Sequence, residues 1–270
     1  MKKNHFLTKM NPYSFFIVGC AKVKLIIVSV YLLLHSLSSV AEDKVLTFSY
    51  WSQAGPPFVF LNHHSTPEIE SGLVKDLAEL ISMKLNAKPR FINMPVKRLE
   101  FELEKGAVDL NCITNPVWKK NPNQYHWSPV LFSGADRFLV RSSNKAKLTS
   151  FADLKGKSLG VYKGYTYHPE IMKMIESGEI NALKVSDIDQ GIKLLLLDRI
   201  DALIDFDMLL NYKIKHEHPE SLVMAGLVAE SYDLFCAYSK NASIDQSQLE
   251  KVFNELIAQG AIKKVLSRYH

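Results

Sequence analysis

Val45-Leu-Thr-Phe-Ser-Tyr50, Gly72-Leu-Val-Lys-Asp-Leu-Ala-Glu-Leu-Ile81, Arg90-Phe-Ile-Asn-Met94 and Val108-Asp-Leu-Asn-Cys-Ile-Thr114 decide the fold of this 270-residue chain. The first piece is β-branched and aromatic, which predicts a strand. It breaks at Ser52-Gln-Ala-Gly-Pro-Pro57, a loop composition. Gly72 opens a helix in which Leu73, Leu77, Leu80, Ile81 and Leu85 recur at three- and four-residue spacing, with Lys75, Glu79 and Lys84 on other faces. Arg90 to Met94 reads as a second strand, closed by Pro95. Val96, Leu99 and Leu103 mark a second helix stopped by Gly106, and Val108 to Thr114 is a third strand. Strands alternating with helices predict a parallel sheet covered by helices.

Outward from this stretch the pattern returns. Phe138 to Arg141 is a short strand after a crossing at Ser128 to Gly134, and Ser158 to Tyr162 is another. Pro169 to Glu176 is a helix with proline at its start, where the missing N–H costs nothing. Ala182 to Val185, Ile188 to Leu197 and Asp201 to Asp205 read as strand, helix and strand. Asp233 to Ser239 is a late strand. Leu249, Val252, Phe253, Leu256 and Ile257 form an apolar helix face, and Ile262, Val265 and Leu266 continue it beyond Gly260. One step is written twice. Leu103 to Leu110 and Leu197 to Ala202 each run from a helix end, through a tight turn, to an acid that opens an apolar strand (Asp109 and Asp201). The repetition suggests two similar lobes.

The front of the chain has another character. Lys2, Lys3, Lys9, Lys22 and Lys24 precede an apolar run from Leu25 to Leu34, and Ser39 and Ala41 are spaced as at a signal cleavage site. Basic, apolar, then small is the order of an export signal, and the run is short of the roughly 20 residues that span a bilayer. A retained anchor, lipoprotein processing at Cys20 and initiation at Met10 are the alternatives. The five leader lysines account for the whole difference between 33 basic and 28 acidic residues. The remainder is therefore balanced, with no basic field for nucleic acid or an anionic membrane. Of the three cysteines only Cys112 and Cys236 follow the leader. Both lie in predicted strands, where a disulfide and a pair of buried free thiols are both open. No nucleophile elbow, phosphate loop or metal-ligand spacing appears, and no cofactor is expected.

Several stretches occur in one order along the chain. They are Gly55-Pro-Pro-Phe-Val-Phe60, the Gly72 helix, Gly106-Ala-Val-Asp-Leu110, Trp127-Ser-Pro-Val-Leu131, Phe151-Ala-Asp-Leu-Lys-Gly-Lys157, Gly160-Val-Tyr-Lys-Gly164 and Arg199-Ile-Asp-Ala202. On these the chain resembles the family 3 periplasmic solute-binding proteins, receptor subunits best known from amino-acid uptake by ABC transporters. The resemblance implies an α/β, type II periplasmic-binding-protein fold. In it two lobes, each a mostly parallel sheet flanked by helices, are joined by two hinge crossings and hold ligand in the cleft between them. The implied division is a signal peptide at 1–41, one lobe from 42–133 plus 233–270, and a second from 134–232.

Open α/β sheets bind ligands beyond the carboxyl ends of their strands. Trp51, Phe58, Trp118, Trp127, Tyr162, Tyr165 and Tyr167 fall in or near such places. Aromatic rings make apolar walls with few rotamers to freeze. Trp51 is the first choice for the cleft and Trp127 for the core. Thr166 and the backbone before Pro169 could hold a carboxylate at a helix start, or Thr166 could simply cap it. Thr114 matches a position that contacts ligand in the family. The family's carboxylate-binding arginine is missing, and Trp118 and Lys119 lie nearest its place. The family's ammonium-binding acid falls on Phe206, flanked by Asp205 and Asp207. Both acids also fit as caps of the next helix.

The expected function is a monomeric, non-catalytic periplasmic receptor. It would capture a small polar metabolite, an amino acid or relative, for an ABC-type permease or a sensor. The alternative is an enzyme on the same scaffold, resembling a cyclohexadienyl dehydratase.

Overall fold

A computed structural model describes residues 44–163 and 165–269, so the leader and Gly164 lie outside it. The first strands are β1 (Val45–Tyr50), β2 (Phe60–Leu61) and β3 (Ile69–Ser71), followed by α1 (Leu73–Lys84). Next come β4 (Lys88–Asn93), α2 (Val96–Lys105), β5 (Leu110–Thr114), β6 (Tyr125–Trp127) and β7 (Phe132–Arg141). The chain continues through β8 (Ser158–Tyr162), α3 (Pro169–Glu176), β9 (Asn181–Val185), α4 (Ile188–Leu196) and β10 (Ala202–Phe206). It closes with α5 (Asp207–His216), β11 (Leu222–Ser239), α6 (Gln246–Ala258) and α7 (Ala261–Leu266).

The strands run β4-β1-β5-β11-β7-β10-β8-β9, with β6 also on β11. β1 is parallel to β4 and β5, and β8 is parallel to β9 and β10. Each parallel trio is completed by antiparallel strands, since β11 pairs antiparallel with β5, β6 and β7, and β10 with β7. Two of these elements are longer than expected. β7 begins at Phe132, not Phe138, and β11 begins at Leu222, not Asp233. Ser133, Gly134 and Asp136 dilute the apolar signal of β7, but pairing from Phe132 opposite Leu234 to Arg141 opposite Leu222 carries both strands through. The β2–β3 hairpin and β6 are also additions to the sequence reading.

Apolar cores gather toward the two ends of this long pair. One gathers Phe48, Leu73, Leu77, Ile81, Leu110, Tyr238, Leu249 and Phe253. Toward the other end of the pair, Phe138, Leu159, Ile171 and Ile204 form a second core, and Leu139, Ile192, Leu195 and Leu203 a third.

The repeated acidic step is a stitch between strands. Asp109 donates its N–H to the Thr47 carbonyl at 2.9 Å and accepts the Thr47 N–H at 2.7 Å. Asp201 does the same to Ser158, at 2.7 and 2.8 Å. Each acid holds the first turn of its strand against the start of a neighbour, and Asp109 also accepts the Ser243 N–H at 2.7 Å. Cys112 stands opposite Cys236 across β5 and β11, and the two form a disulfide. The pairing decides what spacing left open.

Candidate functional site

The carboxyl ends of β1, β5, β8 and β10 bring a set of aromatic rings and carboxylates together. The loop after β1 is fastened by α1. Gly72 has φ 117°, and a side chain there would strike the Phe58 carbonyl. This close approach lets Leu73 and Val74 donate to the Pro57 and Phe58 carbonyls at 3.0 and 3.1 Å. Two N–H groups that a helix start leaves unpaired are thereby satisfied, and Phe58 is fixed. Its ring meets Phe206 at the end of β10, with centroids 5.6 Å apart. Phe206 stacks on Tyr232 of β11 at 5.8 Å, and Tyr232 meets the edge of Trp118 at 5.0 Å. Gly134 leaves room for this row, since a Cβ there would overlap the Phe206 ring. Each such ring pair is worth about 0.5–1.5 kcal/mol beyond its area.

Beside the rings lies Asp136 of β7, in register with Phe206, while Asp205 of β10 is in register with Arg137 and so belongs to the alternate face of the sheet. Tyr232 donates its hydroxyl to Asp136 at 2.6 Å, and Tyr162 donates to Asp205 at 2.5 Å. Asp205 also accepts the Phe206 N–H at 2.7 Å. Neither acid has an ion-pair partner among the described residues. Burial, with repulsion from Glu230 and Asp207, holds the Asp136 carboxyl above the usual range against the Tyr232 bond. Burial, with repulsion from Asp136, pushes Asp205 up to about 7 against the bonds from Tyr162 and Phe206. Burial and then the fields of these acids also raise Tyr162, Tyr165, Tyr167 and Tyr232, which stay neutral donors.

The nine expected site residues divide. Phe58 and Trp118 belong to the row of rings, and Asp205 stands on the alternate face of the sheet, bonded to Tyr162. Tyr165 joins through its ring, 5.3 Å from that of Tyr162. Asp207 begins α5, accepts the Met208 N–H at 2.7 Å, and adds its charge to that around Asp136. The N-cap of α5 is Phe206, with no side-chain cap bond, so neither Asp205 nor Asp207 takes the expected cap role. Trp51 is half-buried after β1 and is not tied to this row by a ring contact. Thr166 is exposed, and the cap of α3 is His168, whose Nδ1 accepts the Glu170 N–H at 3.3 Å.

Thr114 is buried at the end of β5. A bulge at Ile113, with φ 61°, shifts the register so that Thr114 faces Phe235 while Cys112 faces Cys236. The left-handed conformation is costly for a β-branched residue, of order 1–3 kcal/mol, and bulges re-aim the side chains beside them. Asn115 follows, donating to the Asp233 carbonyl at 2.7 Å and so tying this strand end to β11. Lys119 is only 8% exposed; burial lowers its pKa, and Glu100 of α2 opposes that.

Asp136, Tyr232 and Asn115 are additions to the expected set. Asp136 and Tyr232 lie in parts of β7 and β11 that precede the strands expected at Phe138 to Arg141 and Asp233 to Ser239. A charged residue kept two positions before an apolar strand was the one available signal. A cavity of about 120 Å³ lined by Asp153, Lys157, Ser158 and Asp201 lies at the opposite, amino ends of β8 and β10. It does not share the residues of the ring row.

Known proteins place this arrangement. The glutamate/aspartate import solute-binding protein of Escherichia coli (strain K12) is 22% identical over 234 residues, which cover 83% of this chain and 74% of that protein. An ancestral arginine-binding protein, solved bound to arginine, superposes with a TM-score of 0.67 at 21% identity, covering 83% of this chain and 97% of that one. The GluR0 ligand-binding core from Nostoc punctiforme, solved with L-glutamate, gives 0.63 at 18% identity, covering 84% and 98%. These likenesses show the fold, the two-lobed type II periplasmic-binding-protein architecture. The model of the bacterial extracellular solute-binding proteins, family 3, matches residues 50–270, so the chain belongs to that family and has its solute-binding role.

Proposed function

We propose that this protein is a non-catalytic, monomeric receptor that closes two lobes on a small polar metabolite, an amino acid or a related compound. It needs no cofactor and does not act on nucleic acid. The lobes are residues 42–133 plus 233–270 and residues 134–232. The protein is exported to the periplasm by cleavage of residues 1–41, and it presents its ligand to an ABC-type permease or a sensor. One observation carries the reading. Rings from the two proposed lobes converge at the strand carboxyl ends, in the contacts of Phe58 with Phe206 and of Trp118 with Tyr232. A third contact, Phe60 with Tyr212 at 5.8 Å, lies alongside. Phe58 with Phe206 and Phe60 with Tyr212 are contacts that a closed arrangement would make, and a ligand bound between the lobes would favour closure by the affinity it gains there.

The separate cores at the two ends of the β7–β11 pair support the lobe boundaries. The same pair, crossing twice between them, supports a hinge. A thermal-shift and calorimetry screen of the exported protein against amino acids, amines and small carboxylates tests the reading. One class should raise the melting temperature, and the ligand should be recovered unaltered by mass spectrometry. A chemically changed ligand would refute the receptor role in favour of catalysis, and a flat screen would remove its main support. Amino-terminal sequencing of protein taken from the periplasm should begin at Glu42.

A further inference from the structure

We propose, on the reading that the β7–β11 crossings form the hinge, that Asn115 is a positioning residue for ligand binding. Its side chain fastens the loop that carries Trp118 to β11 at Asp233, so the loop and the crossing strand move as one piece.

Both ends of the Asn115 amide are used. Oδ1 accepts the Val117 N–H at 2.8 Å and caps the turn Pro116–Trp118, while Nδ2 donates to the Asp233 carbonyl at 2.7 Å. The Asn115 carbonyl accepts the Trp118 N–H at 3.1 Å, and proline starts the turn, so the turn has little freedom of its own. A cap alone needs only an acceptor, which serine or aspartate supplies as well. Asparagine adds an N–H donor at the same reach, where the single oxygen of serine would have to serve both partners. That donor is spent on the crossing strand, by a side chain only 7% exposed.

The place where the tie lands is an independent ground. Asp233 is held from its other side by Ser133 of β7, whose hydroxyl donates to Asp233 Oδ1 at 2.6 Å. One residue earlier, Trp118 meets Tyr232 edge-on, and Tyr232 donates to Asp136 of β7. Two lines of contact therefore leave the end of β5 and cross both strands at adjacent positions. One is Asn115–Asp233–Ser133, and the other is Trp118–Tyr232–Asp136. The loop is otherwise open, with Val117 79% and Trp118 49% exposed, so burial does not hold it. Hydrogen-bonded chains of this kind carry coupling between a pivot and a binding surface.

Fluorotryptophan labelling tests the tie without a ligand. Trp118→Phe assigns the Trp118 fluorine resonance. Asn115→Ser keeps an acceptor for the Val117 N–H but does not reach Asp233. It should move or broaden the Trp118 resonance, as Tyr232→Leu does, and leave that of Trp127 in place. An unmoved Trp118 resonance overturns the proposal. So does movement of Trp118 and Trp127 together, which marks a general fold defect. Hydrogen exchange of the wild-type protein decides the matter if the variant does not fold. The Val117 amide, beneath an exposed side chain, should exchange at least about 100-fold more slowly than a free amide. Free exchange there would overturn the tie. Calorimetry with arginine, glutamate and glutamine then reads the function. Any of the three that binds the wild type should bind Asn115→Ser about three- to tenfold more weakly, the equivalent of one neutral hydrogen bond. Unchanged affinity overturns the positioning role while the receptor reading stands. If none of the three binds, the receptor reading loses support, and the fluorine and exchange results still decide whether Asn115 holds the loop.

Discussion

Asp205→Asn should make the unliganded protein more stable, and only at neutral pH and above. A carboxyl whose folded-state pKa is raised holds its proton more tightly when folded. Its contribution is therefore complete below the unfolded pKa near 4 and is lost as pH rises through the folded value, here about 7. The rise from 3.8 to about 7 corresponds to about 4 kcal/mol between those limits. Asp205 keeps some contact with water, so an observed effect of about 2–3 kcal/mol is expected. Asparagine keeps the shape. Its Oδ1 can accept the Phe206 N–H and its amide can donate to the Tyr162 oxygen, but it takes no charge. Urea unfolding at pH 4.5, 6 and 8 reads the difference. With a slope of about 3 kcal/mol/M, the variant's midpoint should move about 1 M above wild type between pH 4.5 and pH 8. Asp136 is present in both proteins, so its own titration largely cancels. A difference between variant and wild type that stays constant across this range would refute the account of Asp205. So would one that grows toward acid pH. The stability gained by the variant would then be a measure of what the cleft gives up to keep an acid.

Reducing the Cys112–Cys236 disulfide releases a loop of separation 124 and should cost about 2–4 kcal/mol. Urea unfolding with and without dithiothreitol measures it, and an unmoved midpoint after complete thiol titration would count against the bond. Asp109→Ala leaves the Thr47 and Ser243 N–H groups without their acceptor and should destabilise by about 2–4 kcal/mol. The more exposed Asp201→Ala should cost less, and equal midpoints for the two would contradict the burial argument. Gly134→Ala forces the Phe206 ring aside and should cost about 1–3 kcal/mol, while also weakening ligand binding. Full stability and unchanged affinity would mean that the ring has another place to go.

The parts of the fold that sequence made legible are those where one rule acts alone. Ser158 to Tyr162 and Pro169 to Glu176 were bounded correctly because a strand-forming run and a proline start mark them without competition. The acidic echo at Asp109 and Asp201 was visible as a pattern. Its meaning, a reciprocal bond to a neighbouring strand, needed coordinates. The sequence reading of β7 and β11 is too short because Ser133, Gly134 and Asp136 dilute the apolar signal of β7 and Gly226, Glu230 and Ser231 that of β11, although Leu222, Ala225, Leu227 and Ala229 join the cores. Asp136 and Tyr232 lay in that blind stretch. The aromatic residues of the cleft could be named from strand-end positions, yet nothing in spacing separated Trp118, which meets Tyr232, from Trp51, which does not join the row. Lys119 reads as a binding cation in sequence and is buried beside α2 in three dimensions.

Apolar periodicity, turn chemistry and the order of short motifs determined the fold class, the family and the region of the cleft, because these depend on contacts between residues near in sequence. Only the tertiary structure decided which acids share a field, which rings face one another and which cysteines bond. Those facts depend on the register of β5, β7 and β11, where residues about 100 positions apart come within hydrogen-bond reach. No local pattern carries such a register; it is set when the long antiparallel strands pair.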